Sequence, residues 1–272
     1  MASDLVLPGR GRHTAFGAWG QLGRNPWFAG LGATLLVIAF WLATGSTPVA
    51  LVHLWKWLPV LLRGLLANIH ISVLAMALGT LAGLVVGALS LSPLRVLRVA
   101  TRWYVQAFRN APVLVLIYFT TYVFPFELHL VAWTVPFPDW IKVVLGLALP
   151  ASANVAEIFR GAIQSIPSAQ WEAAQSLAFR RREIFRLIVL PQCVRRMLPP
   201  WMNLYASITM STALASLVGV HDVVDTAQIA SNTVARTDFT ILVYFTLLGL
   251  FFAYCHPIAR ATRALERRHD RH

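Results

Sequence analysis

Few side chains in this 272-residue sequence are placed to do chemistry, and most of those lie in or beside apolar runs. Glu157 is the sole carboxylate inside such a run, at about 141–160, with Asn154 three positions before it and Arg160 three after, close to one helical face. An unpaired carboxylate there is costly, so Glu157 has two uses: a structural ion pair with Arg160, or contact with a watery solute path. Asn154 divides likewise between a helix-to-helix hydrogen bond and the pathway, and Arg109 between snorkelling to head groups and contact with a gate. The other constellation is the polar stretch Ser165–Pro191, where Pro167 opens an alanine-rich segment carrying Glu172, Ala173 and Ala174 and followed by Arg180, Arg181 and Arg182. Pro167 suits a first helical turn and Ala169–Leu177 are mostly good helix formers, so a short helix is expected. Its low, alanine-rich surface fits either a groove in another protein or a layer of lipid head groups.

Other chemistries find little support. Glu157 has no His or Asp at helical spacing, a poor start for a membrane enzyme acting on lipids. Cys193 and Cys255 sit in no CxxC, the eight histidines form no HExxH, and no GxxxxGK[ST] loop occurs. The expectation is that the chain binds no metal or nucleotide itself, so that any ATP belongs to a partner.

The elements that must hold these residues are apolar. Hydrophobic residues make up 57% of the chain and charged ones 12%, with a mean hydropathy of +0.63, whereas soluble domains carry about 25% charged residues. Runs near 20 residues recur at about 28–46, 66–92, 111–127, 141–160, 197–219 and 238–258, each close to the length that crosses a hydrocarbon core of ~30 Å. The first run follows too long a tail to read simply as a signal peptide. The expected fold is all-α: a polytopic membrane protein with about six transmembrane helices. Gly79, Gly83 and Gly87 put a small-residue stripe on the second, suited to close packing.

Arginine and lysine fix the topology. Of 23, nineteen fall on one side, in the N-terminal tail, at 95–109, at 160–196 and at 260–271; Lys56, Arg63, Lys142 and Arg236 fall opposite. The bias puts both termini in the cytoplasm, with Trp55, Trp57, Trp133 and Trp140 near membrane boundaries. The same placement explains the net charge of +12 through lipid head groups and argues against nucleic acid. Residues 220–237, polar but not disordered in composition, suit a short re-entrant or external helix.

The pattern Glu172-Ala173-Ala174, three residues, Ala178, nine residues, then Ile188-x-Leu190-Pro191 resembles the EAA loop of ABC importer permeases. Further segments resemble the polar amino acid subfamily in order and spacing: Phe108-Arg109-Asn110-Ala111-Pro112, Ala156-Glu157-Ile158-Phe159-Arg160-Gly161, Ser165-Ile166-Pro167, Leu190-Pro191-Gln192, Leu198-Pro199-Pro200 and Asn203. The resemblance spans about 60–260. It implies a five-helix type I importer core plus one N-terminal helix in the bacterial inner membrane, dividing into a cytoplasmic tail (1–26), an extra helix and external segment (27–64), the importer domain (65–258) with its coupling loop (160–196), and a basic cytoplasmic tail (259–272). It further implies pairing with itself or a homologous permease, two cytoplasmic ATPase subunits holding ATP and Mg, and a periplasmic solute-binding protein. Glu172, Ala173, Ala174, Ala178 and Arg180 would form the ATPase-coupling surface, while Asn154, Glu157, Met210, Ser211, Thr212 and Arg109 would line the solute path or gate. No catalytic role falls to this chain.

Two departures stand out. Glycine is usual where Ala178 stands, at a turn whose left-handed conformation costs a non-glycine residue about 1–2 kcal/mol. The family often carries a charge pair where this chain reads Met210-Ser211-Thr212-Ala213-Leu214. A self-contained secondary transporter or channel is the alternative, since small and hydroxylated residues can also line its pore.

Overall fold

The computed structural model describes residues 49–130 and 133–269. The tail at 1–26 and the apolar run at 28–46 lie outside them. The chain forms two compact units, Met1–Val52 and His53–His272. Of the first unit only the opening turn of one helix is described; the rest of that helix and all other described elements belong to the second.

The helices are α1 (Val49–Ser90), α2 (Arg95–Asn110), α3 (Val113–Val123), α4 (Asp139–Gln164), α5 (Ser168–Ser176), α6 (Leu190–Ser211), α7 (Val223–Val234) and α8 (Thr237–His269). A helical turn (Arg181–Glu183) and a π-helix (Ile184–Val189) lead into α6, and a 3₁₀ segment (Thr212–Val218) continues it. A hairpin, β1 (Glu127–Leu130) with β2 (Trp133–Pro136), is antiparallel with Glu127 opposite Pro136. The protein is thus an all-α polytopic membrane protein with one small hairpin among the described residues.

Among the described residues, three helices are long and apolar enough to cross a bilayer: Val49–Ser90, Asp139–Gln164 and Thr237–Arg267. Arg181–Val218 and Val223–Val234, bent by 50° at a short break, make a fourth if taken as one broken span. The run expected at 111–127 is the short α3, and 11 residues of helix reach only about 16 Å. Two elements exceed their expected bounds. The second run is preceded by a further helical stretch, so α1 has 42 residues and a length of about 63 Å, twice the hydrocarbon core. The basic tail at 259–269 continues α8. The basic segment 95–109, which entered above only through its charges, is the helix α2.

At the centre stands α4, 67% of whose apolar window is buried, against 11% in α8. Its Val143, Val144, Leu147, Ala151 and Val155 join Ile71 and Met76 of α1, Ile117 of α3 and Ile208 of α6 in one core. The glycine stripe makes this approach possible. A Cβ on Gly79 would meet Ala151, one on Gly83 would lie 2.5 Å from the Ser152 carbonyl oxygen, and one on Gly87 would strike Phe159. Near the start of α4, fully buried Lys142 donates to Asp139 Oδ1 at 3.0 Å and lies 3.9 Å from the centre of the Phe126 ring, tying the approach to β1 onto α4.

Proline shapes α6. Pro191 lacks an amide hydrogen, and the π-helix sits immediately before it, where the backbone ladder must adjust. At the other end Gly219, at φ +83°, turns the chain out of the 3₁₀ segment towards α7.

Candidate functional site

The expected short helix is α5, and its two faces differ. Ala174, only 3% exposed, packs with Ala162, Ile166, Ile184, Val189 and Cys193, and Trp171 leans on the same cluster. Polar ties reinforce the seat: Gln192 Nε2 donates to Gln170 Oε1 at 2.7 Å, and Arg196 Nη1 donates to Ser165 O at 2.7 Å. The opposite face carries exposed Glu172, Ala173 and Leu177, with Ala178, Phe179 and Arg180 following. The Arg180 backbone N–H donates to Glu183 Oε2 at 2.8 Å, closing the N-terminus of the next turn.

Ala178 holds φ 59°. The Phe179 N–H donates to Ala174 O and the Ala178 N–H to Gln175 O, the bond pair that closes a helix with a left-handed residue. Alanine therefore takes the backbone conformation that glycine adopts without strain. Ala178→Gly removes about 1–2 kcal/mol of strain but adds chain entropy to the unfolded state, leaving a net stabilisation of up to about 1 kcal/mol. A small rise in the melting temperature of the purified protein is the expected result; a fall shows that the turn is not strained.

Glu157 pairs with Arg160. Arg160 Nε donates to Glu157 Oε2 at 3.1 Å, Nη2 donates to Oε1, and Nη1 reaches Gln164 Oε1 at 2.9 Å. The two-pronged contact fixes the guanidinium plane. Both residues line a cavity of about 490 Å³ between the end of α1, α2 and α4. Arg109, exposed at the end of α2, is within electrostatic reach of Glu157. Asn154 Nδ2 donates within its own helix, to Pro150 O at 2.8 Å, and makes no bond to another helix among the described residues.

The Met210-Ser211-Thr212 segment divides. Met210 is 57% exposed, and Ser211 Oγ donates back to Ser207 O. Thr212 is fully buried, with its hydroxyl donating to Thr209 O and accepting from Asn68 Nδ2 at 3.0 Å. Asn68 also donates to Asp222 Oδ2 at 3.0 Å, and its Oδ1 accepts from the Val223 N–H at 3.0 Å. One buried amide thus ties α1, the 3₁₀ segment and the N-terminus of α7 together, and Asp222 caps α7 by accepting from the Asp225 N–H. Asn68 and Asp222 were not among the sequence candidates. Asn68 is the one amide in the apolar run 66–92, and that isolation was the available signal.

Residues 79–271 match the family described as binding-protein-dependent transport system inner membrane component. The chain belongs to this family. Among curated relatives of the permease, the octopine transport system permease protein OccM of Rhizobium radiobacter is 32% identical over 78% of this chain and 87% of its own length. The probable amino-acid ABC transporter permease protein YckA of Bacillus subtilis is 29% identical over 78% and 89%. In solved structures, the fold of the permease matches an amino acid ABC transporter with a TM-score of 0.69 at 24% identity, covering 82% of this chain and 99% of that one. It also matches the MetNI methionine ABC transporter, with a TM-score of 0.55 at 18% identity and coverage of 75% and 95%. The family match begins at Gly79, so the stretch of α1 from Val49 to Leu78 precedes it.

Proposed function

We propose that this permease forms, with itself or a homologous permease, the translocation pathway of an ATP-driven importer for amino acids or related small polar solutes. Force arrives through α5 from two cytoplasmic ATPase subunits that hold ATP and Mg, and a periplasmic binding protein delivers the solute. The orientation, with both termini cytoplasmic, rests on the arginine and lysine bias. The solute class rests on the relatives, which include permease proteins for octopine, L-cystine and, as a probable assignment, glutamine.

The observation that carries this reading is the two-faced seat of α5. Trp171 and Ala174 lock it to the π-helix and α6, while Glu172, Ala173 and Leu177 remain open to a partner. A push on α5 therefore moves α6 with it. Further contacts pass the motion on: Trp201 Nε1 donates to Thr80 Oγ1 of α1 at 2.9 Å, and the Tyr205 and Tyr254 hydroxyls, 2.6 Å apart, join α6 to α8. Such coupling suits alternating access by rigid-body rotation of a bundle. On the path side, exposed Met210 and half-buried Ser211 are placed to meet the solute, while Thr212 holds the frame.

The deciding experiment is co-purification from the native host. Wild type should bring down an ATPase subunit in equal amount. Glu172→Lys reverses the charge on the open face without touching the packed one, and ATPase recovery should drop by about tenfold or more while the bundle melts normally. Full recovery and normal uptake in that variant would remove α5 from the coupling role. Recovery of the wild-type chain alone, with uptake that follows an ion gradient, would favour a self-contained transporter.

A further inference from the structure

We propose that the cavity between the end of α1, α2 and α4 binds the phosphate of an anionic phospholipid from the cytoplasmic leaflet. The cavity measures about 490 Å³, and its wall holds three guanidiniums, Arg98, Arg102 and Arg160, against one carboxylate, Glu157. That carboxylate is taken up by Arg160 in the two-pronged pair. Arg98 and Arg102, one turn apart on α2, have no side-chain hydrogen bond or ion pair among the described residues, so the cavity presents two uncommitted guanidiniums. Guanidinium donors match phosphate oxygens in geometry as well as charge.

The neighbouring surface identifies the kind of molecule that brings the phosphate. On the adjacent side of α2, Val96, Val99 and Trp103 are 78%, 43% and 74% exposed. Their spacing of three and four residues makes one apolar stripe beside the arginine stripe. A free anion has no use for that stripe. A phospholipid uses both, with its head group in the cavity and its acyl chains along the valines, and Trp103 is a residue type favoured at the membrane interface. Basic hollows between helices on the cytoplasmic side are suited to anionic head groups. The assignment shares the cytoplasmic placement of α2 with the importer reading but does not depend on the solute or on the coupling helix.

The test uses the permease purified together with its ATPase, in native mass spectrometry and in melting experiments with short-chain phosphatidylglycerol, short-chain phosphatidylcholine or inorganic phosphate. Phosphatidylglycerol should be retained and should raise the melting temperature, and Arg98→Gln/Arg102→Gln should weaken both effects by about tenfold. Arg98→Lys/Arg102→Lys should keep most of the retention. Equal retention of phosphatidylcholine, or unchanged phosphatidylglycerol binding in the glutamine variant, overturns the site. Protection by inorganic phosphate matching that by the lipid, or displacement of the lipid by a free amino acid, overturns the lipid as its occupant. Should the glutamine variant fail to fold, the three-ligand comparison on wild type still decides, and ATPase recovery in the same preparation reads the coupling role separately.

Discussion

Gly83→Ala is expected to destabilise the bundle by about 1–3 kcal/mol, and Gly83→Leu by more, although alanine is the better helix former. The new carbon would lie 2.5 Å from the Ser152 carbonyl oxygen and 2.7 Å from Val155 Cβ. Neither neighbour can swing aside: one is backbone inside α4, and the other is a β-branched side chain buried in the core. The helices must separate, and separation disturbs the bond between Ser152 Oγ and the Tyr104 hydroxyl, now 2.6 Å, through which α2 holds α4. Gly249 supplies the control, because a Cβ there meets nothing within 4 Å. Gly249→Ala should melt at or slightly above the wild-type temperature, since propensity alone then acts. If the two alanine variants melt alike, α1 and α4 do not pack at this close spacing.

Asn68→Asp should be among the most damaging single changes. It sets a second carboxylate beside Asp222 in a site that excludes water and removes the amide hydrogens given to Thr212 and Asp222. A buried polar group left without its partner costs about 1–3 kcal/mol, and a charged one more. Asn68→Leu removes the donors without adding charge and should cost about 3 kcal/mol. The pairing can be tested by exchange. In Asn68→Asp/Asp222→Asn the amide sits on the other side of the same bond, and the new carboxylate still accepts from the Val223 N–H. Folded yield and uptake should recover towards wild type in this double variant. A double variant as poor as the sum of its parts would mean that the two residues act separately.

Helix α5 was legible because its signals are local: a proline, a run of helix formers and a fixed spacing to Pro191 lie within one short stretch. The glycine stripe was legible for the same reason, since four-residue spacing already names a face. Helix α2 was not among the expected elements, because its arginines were weighed only as charges that fix the topology. Arg98 and Arg102 stand one turn apart, and Thr101 and Val105 face inwards, a pattern visible only when faces are compared. The clamp around Asn68 joins residues 154 positions apart, and no local pattern reports such a meeting. Thr212 shows the limit from the other side. Its neighbours suggested a residue facing the solute path, but its hydroxyl is spent on Asn68 and Thr209, which only the packing reveals.

The π-helix at Ile184–Val189 makes the segment between Glu172 and Pro191 respond differently to a residue lost and a residue gained. A π-turn holds one residue more than an α-turn closing the same gap. Deleting a single residue from it would let the ladder relax to regular α geometry with everything upstream still in register with α6, whereas inserting one would swing everything upstream by about 100°. Trp171 and Ala174 would leave their seat and Glu172 would rotate out of its outward aim, though every residue named in the motif would still be present. Genetic drift can therefore shorten this stretch by one residue far more readily than it can lengthen it.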